Sequence, residues 1–481
     1  MHRFLVSAAH KSSGKTTLSI GLCAALRRQG KSVQAFKKGP DYIDPLWLTQ
    51  ASGRSCYNLD PYLSSSEEIQ STVLRYAIGA DVCLVEGNKG LFDGLALDGS
   101  NSNAALASML ELPVVLVLDA RGMTRGIAPL ILGYQAFDRK IKIAGVILNR
   151  LGGSRHESKL RAVIEHYTDV PVLGAMQEDN EFGILERHLG LAPSTELEAA
   201  SSSIERIALG VEASIDLNRL LALTESSDSS VPTSIFQHGA HLMHYGNASI
   251  FKVGIIRDRA FCFYYADDLD AFIEAGATLV YIDSLSDSVL PEVDALFIGG
   301  GFPEVLAPQL TANQALRKSL CDAIDRGLPC YAECGGLMYL ARSITWQGQE
   351  FPMVGALPVD IVMHKKPVGR GYVHLEELEG APWPRQGISP VIAHEFHYSS
   401  VKNMDPDIFF AYRVKRGYGI DGEHDGMIYR NVLANYAHMR NTADNGWVAR
   451  FVAFARGVNY RKKEGDSAAC ESSCFAHSAT L

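Results

Sequence analysis

The sequence predicts an α/β fold in two domains, an N-terminal doubly wound, mainly parallel sheet carrying a phosphate loop and a second α/β domain behind it. Three observations lead there. Continuous apolar strands alternate with helical patterns through the first half, as in a parallel sheet covered on both faces. A glycine-lysine-threonine loop sits between the first strand and the first helix. The chain, at 481 residues and 52.4 kDa, exceeds what one core usually supports, and the strand-helix pattern starts afresh at Lys252.

The first element is FLVSAAHKSSGKTTLSIGLCAALRRQG, from Phe4 to Gly30. Phe4 to Ala9 suits a buried strand, and Leu18, Leu22, Ala25 and Leu26 recur at helical spacing up to Gly30, which can end the helix. Between them, Ala9 to Thr16 (AHKSSGKT) reads as a P-loop in which Ala9 replaces the usual first glycine. Backbone N–H groups and the helix N-terminus of such a loop surround a phosphate; Gly14 allows close approach, Lys15 reaches the outer phosphates and Thr16 the magnesium. A Ser-rich turn is the alternative reading. It does not account for the strand before and the helix after.

Composition narrows the classes. A formal charge of -9 and a pI near 5.9 argue against non-specific attraction to nucleic acid. Nine cysteines are scattered rather than paired at metal spacing, and the chain opens without a charged-then-apolar leader, which together predict a cytoplasmic protein. No apolar span reaches about eighteen residues, so no membrane helix is expected.

Val33 to Phe36 forms a second strand running into KKGPDYIDP, residues 37–45. Ligands of open parallel sheets sit beyond the carboxyl ends of the strands, so these charges face the phosphate crevice. Asp41 or Asp44 can hold magnesium or substrate, and Lys37 or Lys38 can meet phosphate or a carboxylate; a solvated turn is the alternative. Asp81 to Gly87 is an apolar strand ending in Glu86, the better candidate to organise a metal that prefers oxygen ligands. Asp93, on a loop with Gly90 and Gly94, either approaches a reacting group or marks an ordinary turn.

Pro113 to Ala120, Ile143 to Arg150 and Pro171 to Met176 continue the strand series, with connections long enough for right-handed crossovers. Asn149 can read the nucleotide base with its amide, or simply sit in a turn. The pattern places a P-loop domain at 1–195 and a helix plus polar linker (TESSDSSVP, from Thr224) at 196–247.

The second domain, 248–458, opens with strands Lys252 to Ile256 and Thr278 to Ile282. Val293 to Gly301 (VDALFIGGG) is a strand ending in three glycines, of which Gly300 and Gly301 can offer free N–H groups to an oxyanion or a carboxylate. The segment from Leu328 to Leu340 (LPCYAECGGLMYL) is strand, sharp turn, helix, with Cys334 at the bend and Gly335 after it. In such an elbow the side chain stands clear and the next N–H stabilises negative charge, while the helix N-terminus favours a thiolate. Cys330 reads as a core residue. His438 is the preferred base, with His394 and His397 as substrate-lining or sheet-face alternatives. Residues 459–481 read as a disordered tail, in which Cys470 and Cys474 are unstructured thiols.

With these residues in view, the chain resembles the cobyrinate a,c-diamide synthase family of glutamine-dependent amidotransferases. The likeness spans Phe4 to about Phe454 and rests on GKTT at 14–17, GPDYID at 39–44, VEG at 85–87 with LFDG at 91–94, ILNR at 147–150 and ERHLGL at 186–191. In the second half it rests on GGGFPE at 299–304, ECGG at 333–336, HEFHYS at 394–399 and YAH at 436–438. The resemblance implies a class I-type glutaminase domain in which Cys334 attacks the glutamine amide and His438 shuttles protons. It implies that ammonia passes to the P-loop domain, where ATP and Mg²⁺ convert acetate carboxylates of a tetrapyrrole into acyl phosphates. Gly14, Lys15, Thr16, Thr17 and Asn149 then serve the nucleotide; Thr16, Asp41 and Glu86 the metal; Asp44 the substrate; and Asp93 the reacting carboxylate.

Related glutaminases often carry a glutamate two residues after the histidine. Here Arg440 stands there, so a Cys-His dyad is expected. The macrocycle stays open among cobyrinate, hydrogenobyrinate, nickel-sirohydrochlorin and sirohaem. His364-Lys365-Lys366 and Arg370-Gly371-Tyr372 are suited to acidic side chains without selecting one. A dethiobiotin-synthetase-like carboxylate synthetase and a partitioning-type ATPase are the competing classes, and a homodimer stays open.

Overall fold

A computed structural model of the chain describes residues 1–178, 184, 186–187, 190–196, 199–226, 250–385, 387 and 390–461. The chain divides into two compact units, residues 1–241 and 242–481. The predicted boundary near 247 lies outside the described residues, as do part of the ERHLGL motif, most of the polar linker, and Cys470 and Cys474.

The first unit is a seven-stranded, all-parallel sheet of β1 (His2–Ala8), β2 (Val33–Lys38), β3 (Tyr57–Leu59), β4 (Val82–Glu86), β5 (Val114–Asp119), β6 (Ile143–Leu151) and β7 (Val172–Gln177). Their order is β3-β2-β4-β1-β5-β6-β7. Phe4, Leu5 and Val6 of β1 and every residue of β4 are buried, as strands covered on both faces require. Helix α1 (Lys15–Arg28) leaves the phosphate loop at the carboxyl end of β1, in the middle of the sheet. β2 extends two residues beyond the expected Phe36, so Lys37 and Lys38 are strand residues whose stems are buried.

The described part of the predicted helix-and-linker segment folds onto this sheet. Helices Ala200–Ser214 and Leu217–Leu223 bury Ile204, Ile207, Val211 and Leu220. Arg28 at the end of α1 binds Glu205 and Glu212, and Ile215 bridges to Gly174 of β7.

The second unit is built on a nine-stranded sheet in the order Ala277–Ile282, Phe251–Ile256, Ala295–Ile298, Cys330–Glu333, Val432–Asn435, His424–Tyr429, Phe409–Arg416, Gly369–Glu377 and Val391–His397. The first five are parallel and the remainder antiparallel. One face buries Phe272, Phe297, Tyr331, Trp447 and Phe451 together, and Phe297 and Tyr331 stack at 5.6 Å. The expected tail from 459 begins too early: a helix over 447–461 places Phe451, Val452 and Ala455 at helical spacing against that core and buries Val458 one turn on.

Candidate active sites

In the first unit the P-loop residues, the end of β4 and the start of helix α2 (Ile43–Ser52) converge on one ammonium group. Lys37 Nζ donates to Asp44 Oδ2 at 2.5 Å and Glu86 Oε1 at 2.9 Å, and lies 3.8 Å from Asp41 Oδ2. Burial disfavours this charge, but the carboxylates of Asp44, Glu86 and Asp41 outweigh it and hold the lysine well above its ordinary pKa. Thr16 Oγ1 lies 2.7 Å from Glu86 Oε1 and 3.1 Å from Asp44 Oδ2, within donating reach of both. Of the residues expected around a metal, Thr16 and Glu86 are therefore together, while Asp44 rather than Asp41 completes the contact. Asp41 turns its Oδ1 to the backbone N–H groups of Ile43 and Asp44, capping α2; burial and then Asp44 push its pKa up to about 7.

Burial lowers Lys15 to about 8 and Lys38 to about 8; Lys38 donates to Asn88 Oδ1 at 3.2 Å. Gly14 has φ +86°, and a Cβ there would lie 2.2 Å from Asn149 Nδ2. That amide, expected to read the nucleotide base, donates to Ser13 O at 2.9 Å, so Asn149 braces the phosphate loop. Arg150 adds a second brace, donating to Ser12 O at 2.7 Å and to Asp119 Oδ2 at 3.0 Å. Thr17 is half-buried in the first turn of α1. Asp93 is exposed, and its Oδ2 accepts from Gly90 N at 2.9 Å.

Asn103, which the sequence did not single out, organises that loop. Fully buried, its Nδ2 contacts Ser7 Oγ, Asn88 O and Gly90 O at 3.0, 2.5 and 2.9 Å. Nothing in its local sequence distinguishes it from an ordinary helix-start asparagine. Among the described residues no three His, Cys, Asp or Glu side chains form a ready cage for a metal. Mg²⁺ needs none, because it binds through one or two carboxylates plus waters and phosphates. Glu86 Oε2 is buried without a hydrogen-bond partner, an oxygen such an ion or its water would satisfy.

In the second unit Cys334 stands at φ 47°, ψ -100°, between strand Cys330–Glu333 and helix Gly335–Leu340. This sharp, positive-φ bend is the elbow the sequence predicts, and it is fixed by Cys334 N donating to Asn435 O at 2.7 Å. The thiol and His438 share a hydrogen bond. Burial opposes a charged imidazole, but Cys334 and the Glu333 carboxylate beside it raise His438 to about 10. The arrangement suits a thiolate–imidazolium pair.

The glycine loop lies over this pair. A Cβ at Gly300 would fall 2.5 Å from His438 Cε1, and one at Gly335 would fall 2.9 Å from Gly301 N, so only bare backbone fits between them. Gly300, Gly301 and Gly335 thus come together at the elbow. Asp425, which the sequence did not single out, holds the histidine loop from beneath by accepting from Tyr436 N and Ala437 N, both at 2.9 Å.

The alternative bases separate cleanly. His394 pairs through its backbone with His438, and burial, then the His438 charge, push it down to about 3. His397 stacks on Tyr436 at 3.9 Å and bonds Ser399 O through Nδ1. Cys330 is buried and its thiol is pushed up by burial, as a core residue. Lys365, Lys366 and Arg370 are exposed, with Arg370 5.8 Å over the Phe396 ring.

Two family profiles match the chain, the "CobQ/CobB/MinD/ParA nucleotide binding domain" over residues 5–190 and the "CobB/CobQ-like glutamine amidotransferase domain" over 252–446. The cobyrinate a,c-diamide synthase of Magnetococcus marinus is 42% identical over 94% of this chain and 97% of its own. The chain belongs to the cobyrinate a,c-diamide synthase family. The enzymes of that name from Methanosarcina acetivorans and Methanosarcina barkeri are 41% and 38% identical, over 92% and 95% of this chain and 93% and 96% of theirs. As a family member the protein is an enzyme, a glutamine-dependent amidotransferase of the ligase class, with a nucleotide-binding domain that supports ATP use. Among the described residues no helix is long and apolar enough to cross a membrane.

Proposed function

We propose that this enzyme amidates the a and c acetate carboxylates of a sirohydrochlorin-derived tetrapyrrole of the cobyrinate type, at the expense of ATP and glutamine. The observation that carries the reading is the Cys334–His438 pair, set at an elbow under bare glycine backbone, in a chain that also bears a braced phosphate loop. Relatives named cobyrinate a,c-diamide synthase support the acceptor class.

In the glutaminase half, Cys334 Sγ attacks the side-chain amide carbon of glutamine while Gly300, Gly301 and Gly335 offer N–H groups to the oxyanion. His438 gives its proton to the departing nitrogen. Ammonia leaves, a glutamyl thioester remains, and water, losing its proton to His438, releases glutamate and restores the thiol.

In the synthetase half, a substrate carboxylate oxygen attacks the γ-phosphorus of ATP, ADP leaves and an acyl phosphate forms. Ammonia then attacks the acyl carbon, phosphate departs and an amide results. Lys15 and the loop N–H groups hold the phosphates, and Thr16, Asp44 and Glu86 would hold Mg²⁺, which supplies charge neutralisation of the phosphate oxygens. Lys37 keeps the carboxylates in register, and Asp93 faces the reacting carboxylate from its exposed loop.

The test is an acceptor screen with cobyrinate, hydrogenobyrinate, nickel-sirohydrochlorin and sirohaem, each with ATP, Mg²⁺ and glutamine, read by the mass shift of every amide formed. Cobyrinate is expected to gain two amides. Cys334→Ala should lose glutamine-supported and keep ammonia-supported product; a variant that still used glutamine would sink the assignment.

A further inference from the structure

The glutaminase pair has a third partner that does not come from the expected place. Glu333, the residue before the nucleophile, places Oε2 3.5 Å from His438 Nδ1, with both side chains almost wholly buried. Its other oxygen is held from two sides, accepting from Tyr331 Oη at 2.8 Å and from Met439 N at 2.8 Å. Met439 directly follows His438, so one carboxylate touches both the imidazole and the backbone that carries it. Tyr331 in turn accepts from Asn435 Nδ2 at 3.0 Å, and its ring is wedged against Trp447 at 4.6 Å and Phe297 at 5.6 Å.

Adjacent strand residues face opposite ways. The reversal of the chain at Cys334 (φ 47°) is what lets a thiol and the carboxylate before it address the same ring. Arg440, two residues past the histidine, is turned elsewhere: its Nη2 donates to Asp267 Oδ2 at 2.8 Å and its guanidinium lies 5.1 Å from the Tyr265 ring centre. A cation there cannot polarise an imidazole. Among the described residues, other titratable groups near this pair include His394, paired through its backbone with His438, Asp425, which accepts from Ala437 N beside the histidine, and Asp268, whose carboxyl burial, then Asp267, push well above the usual range while it accepts from Asn441 N.

We propose that Glu333 is a positioning residue that keeps His438 oriented and charged toward Cys334, with Tyr331 and Asn435 fixing the carboxylate from behind. This completes a Cys-His-Glu relay in which the acid precedes the nucleophile instead of following the base, and it rests on the roles given to Cys334 and His438 above. A carboxylate facing Nδ1 sets the tautomer and stabilises the imidazolium, as in other relays of this kind.

The full chain is tested as Glu333→Gln, Glu333→Asp and Cys334→Ala. The readouts are glutaminase kcat and KM, the ratio of glutamine-supported to ammonia-supported product, and the rate at which iodoacetamide alkylates Cys334 as a function of pH, followed by peptide mass. E333Q is expected to lower kcat by about 100-fold with little change in KM, and the product ratio with it. It should also move the alkylation midpoint up by about one pH unit, and E333D should recover part of both.

An alkylation profile unchanged in E333Q overturns the proposal whether or not activity falls. Glutamine use surviving Cys334→Ala removes the reading beneath it, whereas an inactive C334A beside a wild-type-like E333Q removes this inference alone. Should E333Q not fold, nitrogen NMR of the wild-type histidines, assigned with His438→Ala, decides. A His438 ring still charged at about pH 8 supports the proposal, and one neutral by about pH 7 overturns it.

Discussion

Thr16 Oγ1 and Glu86 Oε1 lie 2.7 Å apart across seventy residues of sequence, tying the phosphate loop to the end of the neighbouring strand. A metal-bound nucleotide would enter between them, so each should matter to synthesis and neither to glutamine hydrolysis. Thr16→Ala and Glu86→Gln are expected to reduce ammonia-supported amide formation by about 100-fold, while glutaminase turnover stays within about twofold. Equal loss of both activities would contradict the separation.

Lys37 is buried among three carboxylates. Removing one partner from such a cluster leaves uncompensated buried charge, so Lys37→Met should destabilise the first unit by about 3–5 kcal/mol. Added Mg²⁺ is expected to restore part of that loss by neutralising the same oxygens, and EDTA to abolish the rescue. Urea melts with and without the ion check this; a variant as stable as wild type, or indifferent to the ion, would count against it.

Gly300→Ala places a methyl group where His438 Cε1 stands 2.5 Å from the ideal Cβ. The imidazole must shift, and with it the proton path to Cys334. Glutaminase kcat should drop by about 100-fold or more while ammonia-supported synthesis persists. Side-by-side assays with glutamine and ammonium chloride decide it.

His438 is raised from about 6.5 in an unfolded chain to about 10 in the fold. A histidine whose pKa rises on folding contributes stability that is fully present below pH 6.5 and is lost as pH climbs towards 10. Unfolding free energy should therefore decline over that window in the wild type and decline less in His438→Gln. Urea titrations at pH 6, 8 and 10 give the comparison.

Arg150 ties Ser12 of the loop to Asp119 of β5. Against the cost of burial, hydrogen bonds from Arg121 and Arg150 draw Asp119 down to about 2, so this brace persists above about pH 4 and loosens only as pH falls towards 2. Arg150→Ala should raise the KM for ATP by about tenfold with a smaller effect on kcat. Steady-state kinetics at saturating acceptor measure it.

The parallel sheet, the phosphate loop and the cysteine elbow were legible in the sequence because each is dictated locally. Gly14 and the bend at Cys334 need backbone that few residues adopt, and the apolar strands announce burial on both faces. Asn103, Asp425 and the contact between Glu333 and His438 were not legible, since each acts on residues brought near only by the tertiary fold. The direction of Arg440 was not legible for the same reason: its partner Asp267 lies 173 residues earlier, so its position after the histidine says nothing of where its guanidinium goes. The swap of Asp44 for Asp41 beside Thr16 turned on which carboxylate caps α2, a choice the motif GPDYID leaves undecided.

Helix Ala200–Ser214 closes so tightly over α1 that a methyl group on Gly21 would strike Val211 and Ile207 at 2.5 and 2.9 Å, and helix Leu217–Leu223 follows it against β6 and β7. They are a roof, not a tether. Severing the chain at 195 would strip that roof and bare the small-residue side of the phosphate-loop helix to water, inviting aggregation. A cut after 226 would leave it in place.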